Sequence, residues 1–104
     1  MQESHQVLIQ KKRAIMYKKS GKWEKALPIF DLLVEFGDWE ACIELAKYNE
    51  HNKKNYQIAM RYCQTGIECV NHTKMTEESR RAIMADLQRR IDRLKNKEIN
   101  HVGE

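Results

Sequence analysis

The stretch Trp23-Glu24-Lys25-Ala26-Leu27-Pro28-Ile29-Phe30 is answered further along the chain by Tyr56-Gln57-Ile58-Ala59-Met60-Arg61-Tyr62-Cys63, which sets Trp23 against Tyr56, Ala26 against Ala59 and Phe30 against Cys63. In both copies an aromatic residue, a small one three places on and a larger one four places beyond that fall on one face of a helix of 3.6 residues per turn. The alanine lets two helices approach closely, and the larger side chain fills the groove beside it. Recurrence at a fixed helical period marks an array of helix pairs.

Working outward, a first helix is expected from about Ser4 to Ser20, gathering Val7, Leu8, Ala14, Ile15 and Tyr17 on one side. Gly21 ends it, because a residue without Cβ takes the left-handed C-terminal position at no steric cost. The second helix runs from about Trp23 to Phe36, with Pro28 awkward within it and a bend expected near Glu24. Gly37 and Asp38 serve as the next stop and start. A third helix, about Trp39 to His51, carries Ala41, Cys42, Leu45, Ala46 and Tyr48, and a fourth begins near Tyr56 with Ala59, Met60, Cys63, Ile67 and Val70 on its stripe. Asn71 to Met75 read as a loop, after which Thr76 caps a last helix reaching about Lys97. Its first turn holds Glu77 and Glu78, which favour the positive end of the helix dipole. Its apolar side is Ala82, Ile83, Leu87, Ile91 and Leu94, the covering face that a short array needs at its end.

The expected fold is therefore all-α. It is a single domain over 1–104 with two antiparallel helix-pair units, about 7–38 and 39–71, and a capping helix at about 76–97. With 104 residues the chain can bury one core. Its 33% of charged residues, four Gly and one Pro suit helices joined by short loops. No run approaches the roughly 20 apolar residues of a membrane span, and the N-terminus lacks the apolar run of a secretory signal, so no membrane contact and a cytoplasmic location are expected. Cys42, Cys63 and Cys69 form no C-x-x-C pair and read as reduced thiols. The net charge of +4 decides nothing about partners.

Ala14-Ile15-Met16-Tyr17, Gly21-Lys22-Trp23, Ala26 with Phe30, Leu45-Ala46 and Ala59 with Cys63 together resemble tetratricopeptide repeats over about residues 7–70. The second unit departs from that pattern. Asn49 stands where a tyrosine is usual, Lys54 replaces the turn glycine, one extra residue separates its helices, and Cys63 is smaller than the usual aromatic. Gly21 to Ala26, Glu44 to Tyr48 and Arg90 to Leu94 also resemble the helical C-terminal region that follows a ribonuclease-H-like exonuclease domain in uncharacterised bacterial proteins. That resemblance implies an appendage without the nuclease, since no acidic catalytic cluster is found. The repeat resemblance implies a protein-binding scaffold whose groove is lined by the first helix of each unit. Lys11, Lys18, Lys47 and Glu50 are then the partner-binding candidates. The clamp for a partner's terminal carboxylate is not expected, because Ile15 and Glu44 occupy two of its contact positions.

Chemistry-bearing patterns are sparse. His5, His51, His72 and His101 show no metal-ligand spacing, and the glycines sit singly rather than in a phosphate loop. No cofactor, metal site or catalytic residue is expected, and the chain reads as a non-enzyme. Cys42 among apolar helical neighbours reads as core. The basic run Arg80, Arg81, Arg89, Arg90, Arg93, Lys95 and Lys97 could neutralise phosphates, and Arg89, Arg90 and Arg93 are its nucleic-acid candidates. Asp86 and Asp92 interrupt the run and no aromatic residue in it can stack on a base, so only weak binding is expected. With two units near the minimum for a stable array, self-association through an uncovered end is a further expectation.

Overall fold

A computed structural model describes residues 4–103, the side chains of 101–103 excepted, and every regular element among them is a helix. The order is α1 (His5–Lys19), α2 (Trp23–Glu35), α3 (Trp39–His51), α4 (Tyr56–His72) and α5 (Glu77–Gly103), each packed on the next along the chain. Side-chain oxygens satisfy amides that have no partner inside the helix. Val7 N–H donates to Ser4 Oγ at 3.1 Å, Glu40 N–H to Asp38 Oδ1 at 3.0 Å, Ile58 N–H to Asn55 Oδ1 at 3.2 Å and Ser79 N–H to Thr76 Oγ1 at 3.1 Å. At the other ends Gly21 and Gly37 take φ of 75° and 83°. Lys22 N–H reaches back to Tyr17 O at 2.8 Å, and Asp38 N–H to Leu33 O at 3.1 Å, which closes both helix ends.

Lys54, which occupies the turn-glycine position of the second unit, adopts the same left-handed backbone with φ of 54°. A side chain there crowds the following carbonyl. Replacing Lys54 by Gly is expected to raise stability by about 1 kcal/mol, read as a higher urea midpoint at unchanged slope. A lower midpoint would show that the lysine side chain holds this turn.

Two helix bounds differ from expectation. α4 continues through Asn71 to His72, and Thr73 ends it, donating from Oγ1 to Cys69 O at 2.7 Å. α5 runs on past Lys97, because no glycine or proline interrupts it before Gly103 and Glu98 is held by Gln57 Nε2 at 2.7 Å. Pro28 lies inside α2 and is exposed, so the Glu24 carbonyl that loses its helical donor can be hydrated.

Two apolar clusters share α3. Ala14, Ala26, Phe30, Leu33, Ala41 and Leu45 form one, and Ala46, Ala59, Cys63, Val70, Leu87, Ile91 and Leu94 the other, with Tyr62 packed against both. The matched positions of the repeat are equally buried: Ala26 and Ala59 are 0% exposed, Phe30 2% and Cys63 0%. The stripe read on the first helix splits, however. Val7, Ala14 and Tyr17 face the core, whereas Leu8 and Ile15 are exposed. On α5, Ala82 is exposed and the covering face is made by Leu87, Ile91 and Leu94 with Ile83 and Met84 beside them.

Small residues set the helix spacing. A Cβ on Gly66 of α4 would lie 3.3 Å from Cys42 Cβ of α3 and 3.5 Å from Leu87 of α5, so α4 is wedged against both neighbours. Ala59→Leu is expected to overpack the same layer, costing about 1–3 kcal/mol in chemical denaturation. An unchanged midpoint would mean that α4 does not pack as closely as the structure has it. The resulting molecule measures 47 × 35 × 18 Å, its short dimension about two helix layers thick.

Candidate functional site

α1 and α3, linked by ion pairs rather than close packing, bound a small cleft floored by Phe30 and Leu33 of α2. Ile15, Phe30, Leu33 and Ala41 supply its apolar surface, and Lys11, Asp38, Glu40 and Glu44 its rim. The rim follows from spacing. Lys11, Ile15 and Lys18 recur at one-turn intervals on α1, as do Glu40 and Glu44 on α3, so each row faces the other along the cleft. Lys11 Nζ lies 2.9 Å from Glu40 Oε1 and 3.3 Å from Asp38 Oδ2, and Lys18 Nζ sits 2.8 Å from both oxygens of Glu44. The cations of α1 thus meet the carboxylates of α3 across an apolar strip.

Of the four partner-binding candidates, Lys11 and Lys18 stand on this rim. Lys47, one turn beyond Glu44 on α3, is half-buried and has no ion pair among the described residues. Glu50 lies elsewhere, at the far end of α3 against α5, and is only 3% exposed. Arg93 Nη2 donates to its Oε1 at 2.8 Å and Arg93 Nε to its Oε2 at 3.1 Å, while Lys97 Nζ donates to Oε2 at 2.7 Å. Burial opposes ionisation of this carboxyl. The hydrogen bonds and charges of Arg93 and Lys97 outweigh it and hold the pKa at about 2.

The nucleic-acid candidates are dispersed among different duties. Arg93 is the fork that closes on Glu50, and Glu50 raises its pKa. Arg90 Nε donates to Asp86 Oδ2 at 3.1 Å, and Arg89 stands 3.8 Å from the same carboxylate with its side chain 72% exposed. Arg80 binds the carbonyls of Val70 and Thr73 and so caps the end of α4. Lys97 also lies over the Tyr56 ring at 5.9 Å. Only Arg81, Arg89 and Lys95 of the run present exposed cations along the helix without a bond to another helix.

Two of the three thiols are parts of the interior. Cys42 and Cys63 are 0% exposed, burial raises both pKa values, and Cys63 is pushed up to about 11. Both are expected to resist a thiol reagent at neutral pH and to react once denaturant unfolds the chain. Cys69 is half-buried, so the label must be located: rapid native labelling at Cys42 or Cys63 would contradict their burial. Burial, followed by its 2.9 Å hydrogen bond to Asp31, also raises Tyr62 to about 12, so this hydroxyl is a link between α4 and α2. His5, His51 and His72 are exposed. Among the described residues no three His, Cys, Asp or Glu side chains form a group that could hold a metal ion, and no helix is long and apolar enough to cross a membrane.

Sequence reasoning missed the Glu50–Arg93–Lys97 cluster and the pairing of Lys11 and Lys18 with α3. The signal for the first was the spacing of Arg93 and Lys97, one turn apart beside the buried stripe of Leu87, Ile91 and Leu94. No family model, curated protein or solved structure matches this chain.

Proposed function

We propose that the protein is a non-enzymatic binding module of tetratricopeptide type, with α1–α2 and α3–α4 as its two stacked units and α5 as the cap, and that it holds a segment of a partner protein in the α1–α3 cleft. The supporting observation is the cleft itself: an apolar strip open to solvent at Ile15, 37% exposed, between a row of lysines and a row of carboxylates. A strip of this kind can bury an apolar side chain of a peptide, whose own charges would exchange into the Lys11–Glu40 and Lys18–Glu44 pairs that bridge the two rows. A cytoplasmic, bacterial setting belongs to the same proposal. The test compares proteins retained from lysate by the parent chain and by Ile15→Glu, a surface change that leaves the buried cluster in place. A partner retained by the first and lost by the second is the expected outcome. Identical retention by both would move the binding surface elsewhere.

The alternative, an accessory domain of a ribonuclease-H-like nuclease that aids nucleic-acid binding, has less to support it, because Arg90 and Arg93 are committed to Asp86 and Glu50. Oligonucleotide titrations are expected to show weak binding that falls steeply with salt and ignores sequence. Tight, sequence-selective binding at moderate salt would make that alternative the first reading.

A further inference from the structure

We infer that Cys42 and Cys69 are a redox-sensitive pair, which a hydroperoxide closes into a disulfide tying the start of α3 to the end of α4. A glycine brings the two helices together at this level: a Cβ on Gly66 of α4 would lie 3.3 Å from Cys42 Cβ of α3. Cys69 follows Gly66 by three residues, which puts it one turn further along the same side of α4. The two thiols are in contact. Cys42 donates its S–H to the Cys69 sulfur, a bond that selects Cys69 as its partner over the fully buried Cys63. A disulfide asks its Cβ atoms to approach to about 4 Å, which helices meeting across a glycine allow with little backbone movement.

Exposure sets the order of events. Cys42 is 0% exposed and Cys69 half-buried, so a small oxidant meets Cys69 first. The Cys69 thiolate attacks one peroxide oxygen and the O–O bond breaks; the hydroxide released takes up the proton that the thiol gave, leaving water and a sulfenic acid at Cys69. The Cys42 sulfur then attacks the Cys69 sulfur. An S–S bond forms, the S–O bond breaks, and hydroxide leaves as water with the Cys42 proton. In sum two thiols are oxidised by two electrons and one hydroperoxide is reduced. Burial raises the pKa of both thiols, so little thiolate is present and closure is slow beside that of an exposed pair. Cys42 stands between Glu40 and Glu44 on α3, so the bond also fixes the wall of the cleft that carries its carboxylates. The inference holds whatever the cleft binds.

The test treats the reduced full chain with hydrogen peroxide at neutral pH without denaturant, and maps its peptides without reduction. A Cys42–Cys69 bond within a single chain, reversed by dithiothreitol, is the expected product. Cys63→Ala should still form it, whereas Cys42→Ala and Cys69→Ser should not, with the helicity of each variant checked by circular dichroism. In Cys42→Ala the reaction should stop at the Cys69 sulfenic acid, which dimedone captures. The oxidised parent should unfold at a higher urea midpoint than the reduced one, because the cross-link restricts the unfolded chain. A native chain that forms no internal bond, a bond to Cys63 in place of Cys69, bonds between chains only, or a lower midpoint after closure would each overturn the inference.

Discussion

Phe30→Ala is expected to lower stability by about 3–5 kcal/mol, since the ring is 2% exposed and its removal leaves a cavity that α1, α2 and α3 cannot close by relaxing. Phe30 packs with Ala14, Ala26, Leu33, Ala41 and Leu45, and its ring stands 6.5 Å from that of Trp23, which in turn lies 4.6 Å from Tyr48 of α3. The loss therefore reaches three helices at once. A domain of this size has only about 5–15 kcal/mol in total, so the urea midpoint should fall by a large fraction while the slope is kept. Because Phe30 also floors the cleft, the less disruptive Phe30→Leu should retain most of the stability. An unchanged midpoint for Phe30→Ala would remove this cluster from the account.

Arg93→Ala is expected to cost less, about 1–3 kcal/mol, for a different reason: it removes the two-pronged hydrogen bond from a carboxylate that is only 3% exposed. Lys97 would remain as the sole cation on Glu50 from α5. Replacing both members, Glu50→Met with Arg93→Met, should recover most of the loss, because an apolar pair has no charge to desolvate. The same cluster sets an acid limit. The Glu50 carboxyl has a folded pKa of about 2 against an ordinary value of 4.5, so in that interval the unfolded chain holds more protons than the folded one. Stability from this group is fully present above about pH 4.5 and is lost as pH falls toward 2. Glu50→Gln should flatten that part of the acid-unfolding curve. A parent curve flat through the interval would show that Glu50 gains nothing from its partners.

The helical order was legible in the residues because its signals are local. Trp23, Ala26 and Phe30 repeat at Tyr56, Ala59 and Cys63; Asp38 and Thr76 cap the helices that follow them; Gly21 and Gly37 turn the chain where φ is positive. Lys54 shows the strength of that pattern, since the left-handed turn survives without its glycine. Contacts between helices were much less legible. Glu50, next to His51 at a polar helix end, looks like surface until α5 is laid across it, and Arg93 is 43 residues away. Arg93 in turn looks like a free cation until Glu50 is found beneath it. For that reason the combined replacement of Arg89, Arg90 and Arg93 by Gln would test stability as well as binding. Leu8 and Ile15 have helical spacing that fits a buried stripe, but both are exposed, and Ile15 borders the open cleft between α1 and α3.

The measurement that bears most directly on the proposed role is site-specific photo-cross-linking inside cells, with a benzophenone side chain at position 15 in the cleft and, for comparison, at the exposed position 81 on α5. A discrete protein adduct from position 15 that is absent from position 81 is the predicted result. Adducts to nucleic acid, or a protein adduct from position 81 with none from position 15, would contradict the cleft as the binding surface.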